Sequence, residues 1–351
     1  MPSRNGKTFE KSVNLALQGG GSHGAFTWGV LDRILEDGRI YIEAISGTSA
    51  GAMNAVVMAD GITRGGEEGA REALRSFWTQ VGKAGRFSPL QRGPVDVALG
   101  RWSLDNSPGY LFLEMLNQVA SPYDTNPLNI NPLRDILANA VDFERVRACK
   151  KIQIYVSATN VETGKVAVFT RDMMTIDMVM ASACLPFLYQ AVVIDGSPYW
   201  DGGYMGNPVL FPFYGSESSD VIIVQINPVE RKGTPKTARE ILDRVNEINF
   251  NSSLLKELRA IDFVRRLLDE GALDPDSYRR MLVHIVQAED ELKPLGASSK
   301  LNAEQSFLEH LFEIGRSTAD TWLSENFDAL GERSTVDTRA MFRPAGLPNH
   351  G

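Results

Sequence analysis

Near the start of the chain, two runs of apolar residues each end at a glycine and are each followed by a helical pattern. Val13 to Gln18 predicts a buried strand, and apolar residues then recur at helical spacing over 25–35 until Gly38. Ile40 to Ser46 predicts a second strand, which Ala52 to Ala59 follows as a helix of small residues. Because helices separate the strands, we predict a three-layer α/β/α fold with a central, mostly parallel sheet.

Alternating and buried apolar segments continue the pattern downstream. A glycine turn at 162–164 and the pair Asp195-Gly196 each lie between two short strand patterns, which is typical of hairpins. The strands predicted in this part of the chain cover residues 152–158, 165–169, 191–194, 198–200, 221–226 and 281–286. A helix is expected around 174–183, and it should end before Pro186.

Helical spacing returns in the last third of the chain. Residues 238–271 predict one or two amphipathic helices, whose apolar stripe we expect to pack on the sheet. Ala303 to Leu330 predicts a final helix. We therefore expect a single domain over residues 9–330, with 238–330 as a helical extension containing one strand, followed by an irregular tail at 331–351.

Residues 60–130 differ from their surroundings. Glycine and proline are frequent, and aromatic residues are spread along a stretch that predicts loops and short helices. The segment is either a helical insertion that packs into the core or a lid that faces lipid. Its aromatic residues are Trp78, Phe87, Trp102, Tyr110, Phe112 and Tyr123.

Composition narrows the class of protein. With 43% hydrophobic and 23% charged residues the chain is an ordinary globular protein. Its net charge of -8 argues against nucleic acid as a partner and requires any membrane contact to be mainly apolar. Cys149 and Cys184 cannot form a disulfide framework, which favours a reducing, cytoplasmic location. The start of the chain lacks a signal-peptide core, and no apolar run is long enough to span a membrane.

The second predicted strand ends in a candidate nucleophile. Gly47-Thr48-Ser49-Ala50-Gly51 fits the Gly-x-Ser-x-Gly elbow, a sharp strand-to-helix turn that exposes the serine hydroxyl. The first strand ends in Gly19-Gly20-Gly21, where backbone N–H groups can meet an anion without interference from side chains. Ser49 is therefore the expected nucleophile, and Gly19, Gly20 and Gly21 are the expected oxyanion hole.

The base that activates the serine is harder to find. The α/β-hydrolase triad requires a late loop histidine, yet His284 lies inside an apolar strand pattern and His310 lies on the final predicted helix. Asp201-Gly202-Gly203 follows a predicted hairpin, and a carboxylate held there could accept the serine proton in a partly dry site. A simple Asp-Gly turn is the alternative interpretation of Asp201.

Two other chemistries fit the residues less well. Gly19, Gly21 and Gly24 satisfy the G-x-G-x-x-G spacing of dinucleotide-binding folds, with Glu43 as a distant acidic residue, but that interpretation leaves the serine elbow unexplained. No Gly-Lys-Ser/Thr follows the glycines, so a Walker loop is excluded. The sequence has no cluster of histidines or cysteines, so we expect neither a metal nor a cofactor.

The motifs GGGSHG, GTSAG and ASACLPFLYQAVVIDGSPYWDGGYMGNP together resemble the patatin-like phospholipase family over about residues 13–230. The resemblance implies an acyl hydrolase with a Ser-Asp dyad, in which Ser49 is the nucleophile and Asp201 the base. The family often has Arg or Lys where this chain has His23. We hypothesise that His23 tunes the activity with pH, the alternative being that it caps or packs the loop.

The expected substrates are fatty-acyl esters of phospholipids or lysophospholipids, reached by a transient contact with a membrane or lipid surface. A neutral lipid or a storage polyester is the alternative substrate. A scaffold without catalytic activity that responds to lipid or nucleotide, with 238–271 binding a partner, is the alternative function. A homo-oligomer is left open by the sequence.

Overall fold

The structure, a computed structural model, describes residues 3–4 and 7–343. Within these residues eight strands form one mixed sheet, and a short antiparallel ribbon of Ser3–Arg4 and Lys7–Thr8 precedes it. The strands are β1 (Lys11–Leu17), β2 (Ile40–Gly47), β3 (Gln153–Asn160), β4 (Val166–Thr170), β5 (Val192–Ile194), β6 (Ser197–Asp201), β7 (Asp220–Val224) and β8 (Leu282–Val286). Their order in the sheet is β8-β7-β1-β2-β3-β6-β5, with β4 paired to β3.

The run from β8 through β3 is parallel, and the hairpins at β4 and β5–β6 add antiparallel pairs. The predicted mostly parallel sheet and both hairpins are thus confirmed. The helices are α1 (Gly24–Asp37), α2 (Ala50–Gly85), α3 (Pro94–Ala98), α4 (Pro108–Asn117), α5 (Pro122–Thr125), α6 (Pro132–Ala140), α7 (Phe143–Ala148), α8 (Ile176–Ser182), α9 (Ala238–Asp269), α10 (Glu289–Leu292), α11 (Gln305–Asn326) and α12 (Thr338–Phe342).

Helices cover both faces of the sheet, as the three-layer prediction requires. Alternate residues of β1 point to opposite faces. Leu15 and Leu17 join the core formed with α1, α2 and α11, whereas Ala16 joins a second core formed with α9. Helix α1 ends at Gly38, whose φ of 70 allows its N–H to donate to the carbonyl of Ile34.

The prediction of loops and short helices from residue 60 onward is wrong for its first third. Helix α2 continues to Gly85 and is interrupted only by non-helical backbone at Gly65 and Gly66. Its second half packs on the core, where Trp78 is buried. Short helices begin only after this point, and several large apolar side chains between residues 86 and 130 are exposed, although Leu104 is buried.

Two expectations for the end of the chain are corrected. The apolar stripe of α9 packs on the sheet through Leu254, Leu258 and Ile261, but Leu242 and Ile248 near its start are exposed. The tail predicted as irregular contains α12, and Val336, Met341 and Phe342 pack into the core beside α9. These apolar residues are sparse in sequence, which is why no periodic pattern revealed them. Residues 344–351, including His350, lie outside the described part.

Candidate active site

The serine turn has the geometry of a strained elbow. Ser49 lies between β2 and α2 with φ 54 and ψ -119, a conformation that L-residues adopt only when their surroundings enforce it. The enforcement comes from close packing of the flanking glycines. A Cβ on Gly47 would lie 2.6 Å from the Gly51 carbonyl oxygen, and one on Gly51 would lie 2.2 Å from that of Leu17. The elbow spacing of glycines is therefore a steric requirement.

Side chains from neighbouring elements fix the turn. The Ser49 N–H donates to Ser182 Oγ at 2.8 Å, at the end of α8. The Thr48 hydroxyl lies 2.6 Å from Ser157 Oγ and 2.7 Å from the carbonyl oxygen of Gly206. All these hydroxyls are buried, so the turn is held without access of water.

Asp201 is the last residue of β6, which pairs with β3 in the register Ala158↔Asp201. Because β3 is the neighbour of β2, this pairing brings the carboxylate to the edge of the sheet where the serine turn lies. The main chain is fixed by a bond from the Asp201 N–H to the Cys184 carbonyl oxygen at 2.8 Å. The Gly203 N–H donates to Asp201 Oδ1 at 2.7 Å.

The Asp201 carboxyl is only 3% exposed. Burial raises its pKa to about 6, against the opposing effects of hydrogen bonds from the Gly203 amide and the Ser49 hydroxyl and of the charge of Lys300. A buried carboxylate beside the serine, with a raised pKa, is a suitable proton acceptor near neutral pH. The structure thus brings together Ser49 and Asp201, which lie far apart in the sequence.

The glycine loop lies directly against the serine turn. A Cβ on Gly19 would lie 2.7 Å from Ser49 Cβ and 2.8 Å from the Thr48 carbonyl oxygen. Asn227 Nδ2 donates to the Gly19 carbonyl oxygen at 2.8 Å, and the Gly19 N–H donates to Asn207 Oδ1 at 2.7 Å. Hence both backbone groups of Gly19 are already occupied.

This occupation argues against Gly19 as a donor in the predicted oxyanion hole and leaves Gly20 and Gly21 as the candidates. Gly19 has no free N–H in this conformation, because the side chain of Asn207 accepts it. The amides of Gly20 and Gly21 donate to no acceptor in residues 3–4 and 7–343. Gly21 has φ 57, and a Cβ there would lie 2.3 Å from the Lys300 carbonyl oxygen, so this position requires glycine.

The surroundings of His23 argue against the electrostatic role that we hypothesised. Burial, together with the positive charges of Lys300 and Arg231, lowers its pKa to about 3. His23 Nε2 lies 2.7 Å from Ser299 Oγ, whose hydroxyl donates to the Gly296 carbonyl oxygen. A buried, neutral ring bound to Ser299 argues against pH tuning by His23 and favours the alternative that it packs the loop.

The other two histidines of the described chain are engaged elsewhere. His284, on β8, pairs with Asp220 Oδ1 at 2.9 Å and with Thr335 Oγ1 at 3.2 Å, which makes it a buried, satisfied core residue as expected. His310, on α11, stacks on Trp102 with ring centroids 5.4 Å apart. No group of three His, Cys, Asp or Glu within the described ranges could hold a metal ion.

Sequence reasoning missed the residues that support the loop. Asn207 and Asn227 contact Gly19, and the backbone of Lys300 packs against Gly21. Asn227 follows the buried β7 pattern, so the rule that ligand-binding residues gather at the carboxyl ends of parallel strands could have identified it. Nothing in the sequence around Lys300 connects it with the glycines.

Comparisons with known proteins identify one matching family model and several similar solved structures. Residues 15–214 match the family model for patatin-like phospholipase. Solved structures similar to the chain include VipD from Legionella pneumophila, with 15% identity over 87% of this chain and 67% of that chain at a TM-score of 0.35. Full-length ExoU from the type III secretion system of Pseudomonas aeruginosa, in complex with SpcU, has 15% identity over 93% and 60% at 0.32.

A second structure of the type III effector ExoU has 15% identity over 90% of this chain and 53% of that chain, at a TM-score of 0.34. The chain thus spans between about half and two thirds of the length of these proteins. A comparison with curated protein sequences finds no significant match.

Proposed function

The chain belongs to the patatin-like phospholipase family, and from that premise we propose that it cleaves fatty-acyl esters of phospholipids or lysophospholipids through Ser49 and Asp201. Membership in the family supports a lipid acyl hydrolase in general. The finer proposal is supported by the position of Ser49 beside a buried Asp201 with a raised pKa, next to a loop whose Gly20 and Gly21 amides donate to no acceptor in the described residues.

Acylation would begin with attack of Ser49 Oγ on the ester carbonyl carbon. The serine proton passes to Asp201, and the carbonyl electrons move onto the oxygen, where the amides of Gly20 and Gly21 stabilise the negative charge. When the tetrahedral intermediate collapses, the bond to the alcohol breaks and Asp201 returns the proton to the leaving oxygen. The fatty-acyl group is then esterified to Ser49.

Deacylation would repeat these steps with water as the nucleophile. Asp201 takes a proton from water, which attacks the acyl-enzyme carbonyl, and the collapse returns that proton to Ser49 Oγ. The pKa of about 6 suits both directions, because the group is largely ionised at neutral pH yet basic enough to accept a proton. The products are a fatty acid and the alcohol part of the lipid.

The exposed apolar residues of 86–130 support a contact with a lipid surface. Phe112 is 60% exposed and Val119 is 82% exposed. The segment is tied to the hairpin that carries Asp201, since Gln190 Nε2 donates to the Asn126 carbonyl oxygen at 3.0 Å. We propose that it is a lipid-facing cap. In the described part of the chain, no helix combines the length and the apolar character needed to cross a membrane.

Substrate profiling tests the proposed reaction. The wild type and Ser49→Ala are compared on phosphatidylcholine, lysophosphatidylcholine, monoacylglycerol and a short nitrophenyl ester. We expect release of fatty acid from the phospholipids by the wild type and none by the variant. A preference for monoacylglycerol over the phospholipids would favour the alternative of a neutral-lipid substrate. An intact chain on which a fluorophosphonate never labels Ser49 would support a scaffold.

A vesicle experiment tests the cap. The double variant Phe112→Asp with Val119→Asp should bind less to phosphatidylcholine vesicles, while its activity on the soluble nitrophenyl ester stays the same. Unchanged vesicle binding would argue against a lipid-facing role for these residues.

A further inference from the structure

The glycine loop carries no positive charge of its own. His23, the only ionisable side chain between Gly19 and Gly24, is neutral and bound to Ser299. An oxyanion that forms here would be stabilised by backbone amides alone, unless a cation reaches the loop from another part of the chain.

Lys300 reaches this loop from a 3-10 turn at Ala297–Leu301. Its backbone crosses Gly21, since a Cβ added there would meet the Lys300 carbonyl oxygen at 2.3 Å and its Cβ at 3.4 Å. Its ammonium group donates to Asn227 Oδ1 at 2.7 Å. The same Asn227 amide donates through Nδ2 to the Gly19 carbonyl oxygen at 2.8 Å. Lys300 thus contacts the loop in two ways. Its backbone lies against Gly21, and its ammonium group is linked through Asn227 to Gly19.

The charge of Lys300 is not neutralised by a direct ion pair. Among residues 3–4 and 7–343 no carboxylate forms a salt bridge with its ammonium, and the nearby Glu247 is bound to Arg231 at 2.8 Å and to Arg244 at 3.2 Å. The ring of Phe250 lies 5.8 Å from the ammonium nitrogen. Holding a charge in a partly buried position without an ion-pair partner is costly, so the presence of Lys300 beside a candidate reaction site suggests a function.

Lys300 also interacts with the base of the dyad. Its charge is one of the influences that lower the pKa of Asp201, and Asp201 in turn raises the pKa of Lys300 against the larger lowering effect of burial. The other charged groups that act on the pKa of Lys300 are Glu247, Asp243 and Arg231. Lys300 in turn lowers the pKa of His23, and Asp201 raises the pKa of Cys184 and of Tyr204.

We propose that Lys300 is a positioning residue that holds the glycine loop against Ser49 and supplies the positive charge next to the developing oxyanion. The proposal rests on the acyl-transfer function proposed above. Lys300 neither gains nor loses a proton in the reaction; it stabilises negative charge on the ester oxygen and on Asp201. It lies outside residues 15–214, the part that matches the family model.

Three variants separate charge from hydrogen bonding. Lys300→Met removes both, Lys300→Gln keeps a donor for Asn227, and Lys300→Arg keeps the charge. Lys293→Met is the matched control, because Lys293 belongs to the same part of the chain but pairs with Glu289. The readouts are kcat and KM on the nitrophenyl ester, the pH profile of kcat/KM and the thermal midpoint.

We expect Lys300→Met and Lys300→Gln to lower kcat by about tenfold or more with little change in KM. The acidic limb of the kcat/KM profile of both variants should move to higher pH, because loss of the positive charge raises the pKa of Asp201. Lys300→Arg should recover much of kcat and restore the limb. If Lys300→Met does not fold, Lys300→Gln is judged by the same criteria.

An active wild type with unchanged kcat and an unchanged acidic limb in Lys300→Gln would overturn this proposal and leave the proposed reaction standing. A loss of activity in Lys300→Gln without any shift of the limb would also contradict it, since a purely structural defect predicts that result. A wild type that hydrolyses none of the esters would overturn the reaction and the role of Lys300 together.

Discussion

The serine turn and the glycine loop meet at one site but are held in place in different ways. The turn is imposed by glycines two residues on either side of Ser49, whose missing side chains allow the strand and helix to close. The loop is held by side chains far away in sequence, 188 positions for Asn207 and 276 for the bond between His23 and Ser299. Nearby glycines thus set much of the serine turn, to which Ser182 adds one distant bond, whereas the glycine loop depends on distant side chains.

The largest effect on kcat should come from removing the proposed base, Asp201, which lies beside Ser49. Asp201→Asn should lower kcat by on the order of 10³-fold or more, since an amide cannot accept the serine proton. Initial rates of fatty-acid release measure this, and circular dichroism checks the fold. Robust activity in Asp201→Asn would refute the dyad.

The same variant should be more stable than the wild type. The folded pKa of Asp201, about 6, lies above the ordinary 3.8, so ionisation above pH 6 favours the unfolded chain. Stability from this group is therefore present at low pH and lost as the pH rises through the folded value. Thermal unfolding at pH 7.5 should show a midpoint roughly a few degrees higher for Asp201→Asn, and a smaller difference at pH 5. Equal midpoints at both pH values would contradict the raised pKa.

The next largest effect on kcat should come from adding a methyl group at Gly19, where the glycine loop touches the serine turn. In Gly19→Ala the new Cβ would collide with Ser49 Cβ and the Thr48 carbonyl oxygen, which displaces the loop. We expect kcat to fall by about 10²-fold, the size of effect typical for loss of an oxyanion donor. Gly215→Ala is the control, because no atom lies within 4 Å of its added Cβ. Similar kcat values in the two variants would show that the contact is not needed.

Removing one hydrogen bond from the glycine loop and one from the serine turn tests whether the loop depends more strongly on distant side chains. Asn227→Ala deletes a bond to the loop, and Ser182→Ala deletes the bond to the Ser49 amide. We expect the first to lower kcat by about tenfold and the second by less, because the glycine packing still holds the turn. Measured kcat values for both variants decide this, and a larger loss in Ser182→Ala would reverse the comparison.

The smallest effect should be that of His23. The wild-type kcat/KM should fall below about pH 6 as Asp201 becomes protonated. His23 does not titrate in this range, so His23→Gln should leave the position of the limb unchanged. A shift of the limb in His23→Gln would restore the hypothesis of pH tuning.

The same contrast explains what the sequence could predict. The parallel sheet, the hairpins and the elbow at Ser49 each depend on local patterns, and each was predicted from periodicity or glycine spacing. The continuation of α2 past residue 60 was missed because frequent glycines suppress the helical signal, although the helix survives through packing of Trp78 and its neighbours.

The occupation of Gly19 by Asn207 and the position of Lys300 could not be predicted, because both depend on contacts between distant segments. His23 illustrates the same limit: its residue type suggests titration near neutral pH, but only the structure reveals that it is buried beside two cations.

The placement of the loop supports has a consequence for how such sequences change over time. Asn227, Ser299 and Lys300 lie beyond residue 214, outside the stretch that matches the family model. Substitutions among them would leave every motif letter of the glycine loop, the serine elbow and the aspartate unchanged. Under the proposed roles of these residues, a descendant of this protein could lose most of the proposed activity and still be recognised as a family member, because its rate would depend on a part of the chain that holds none of the motifs.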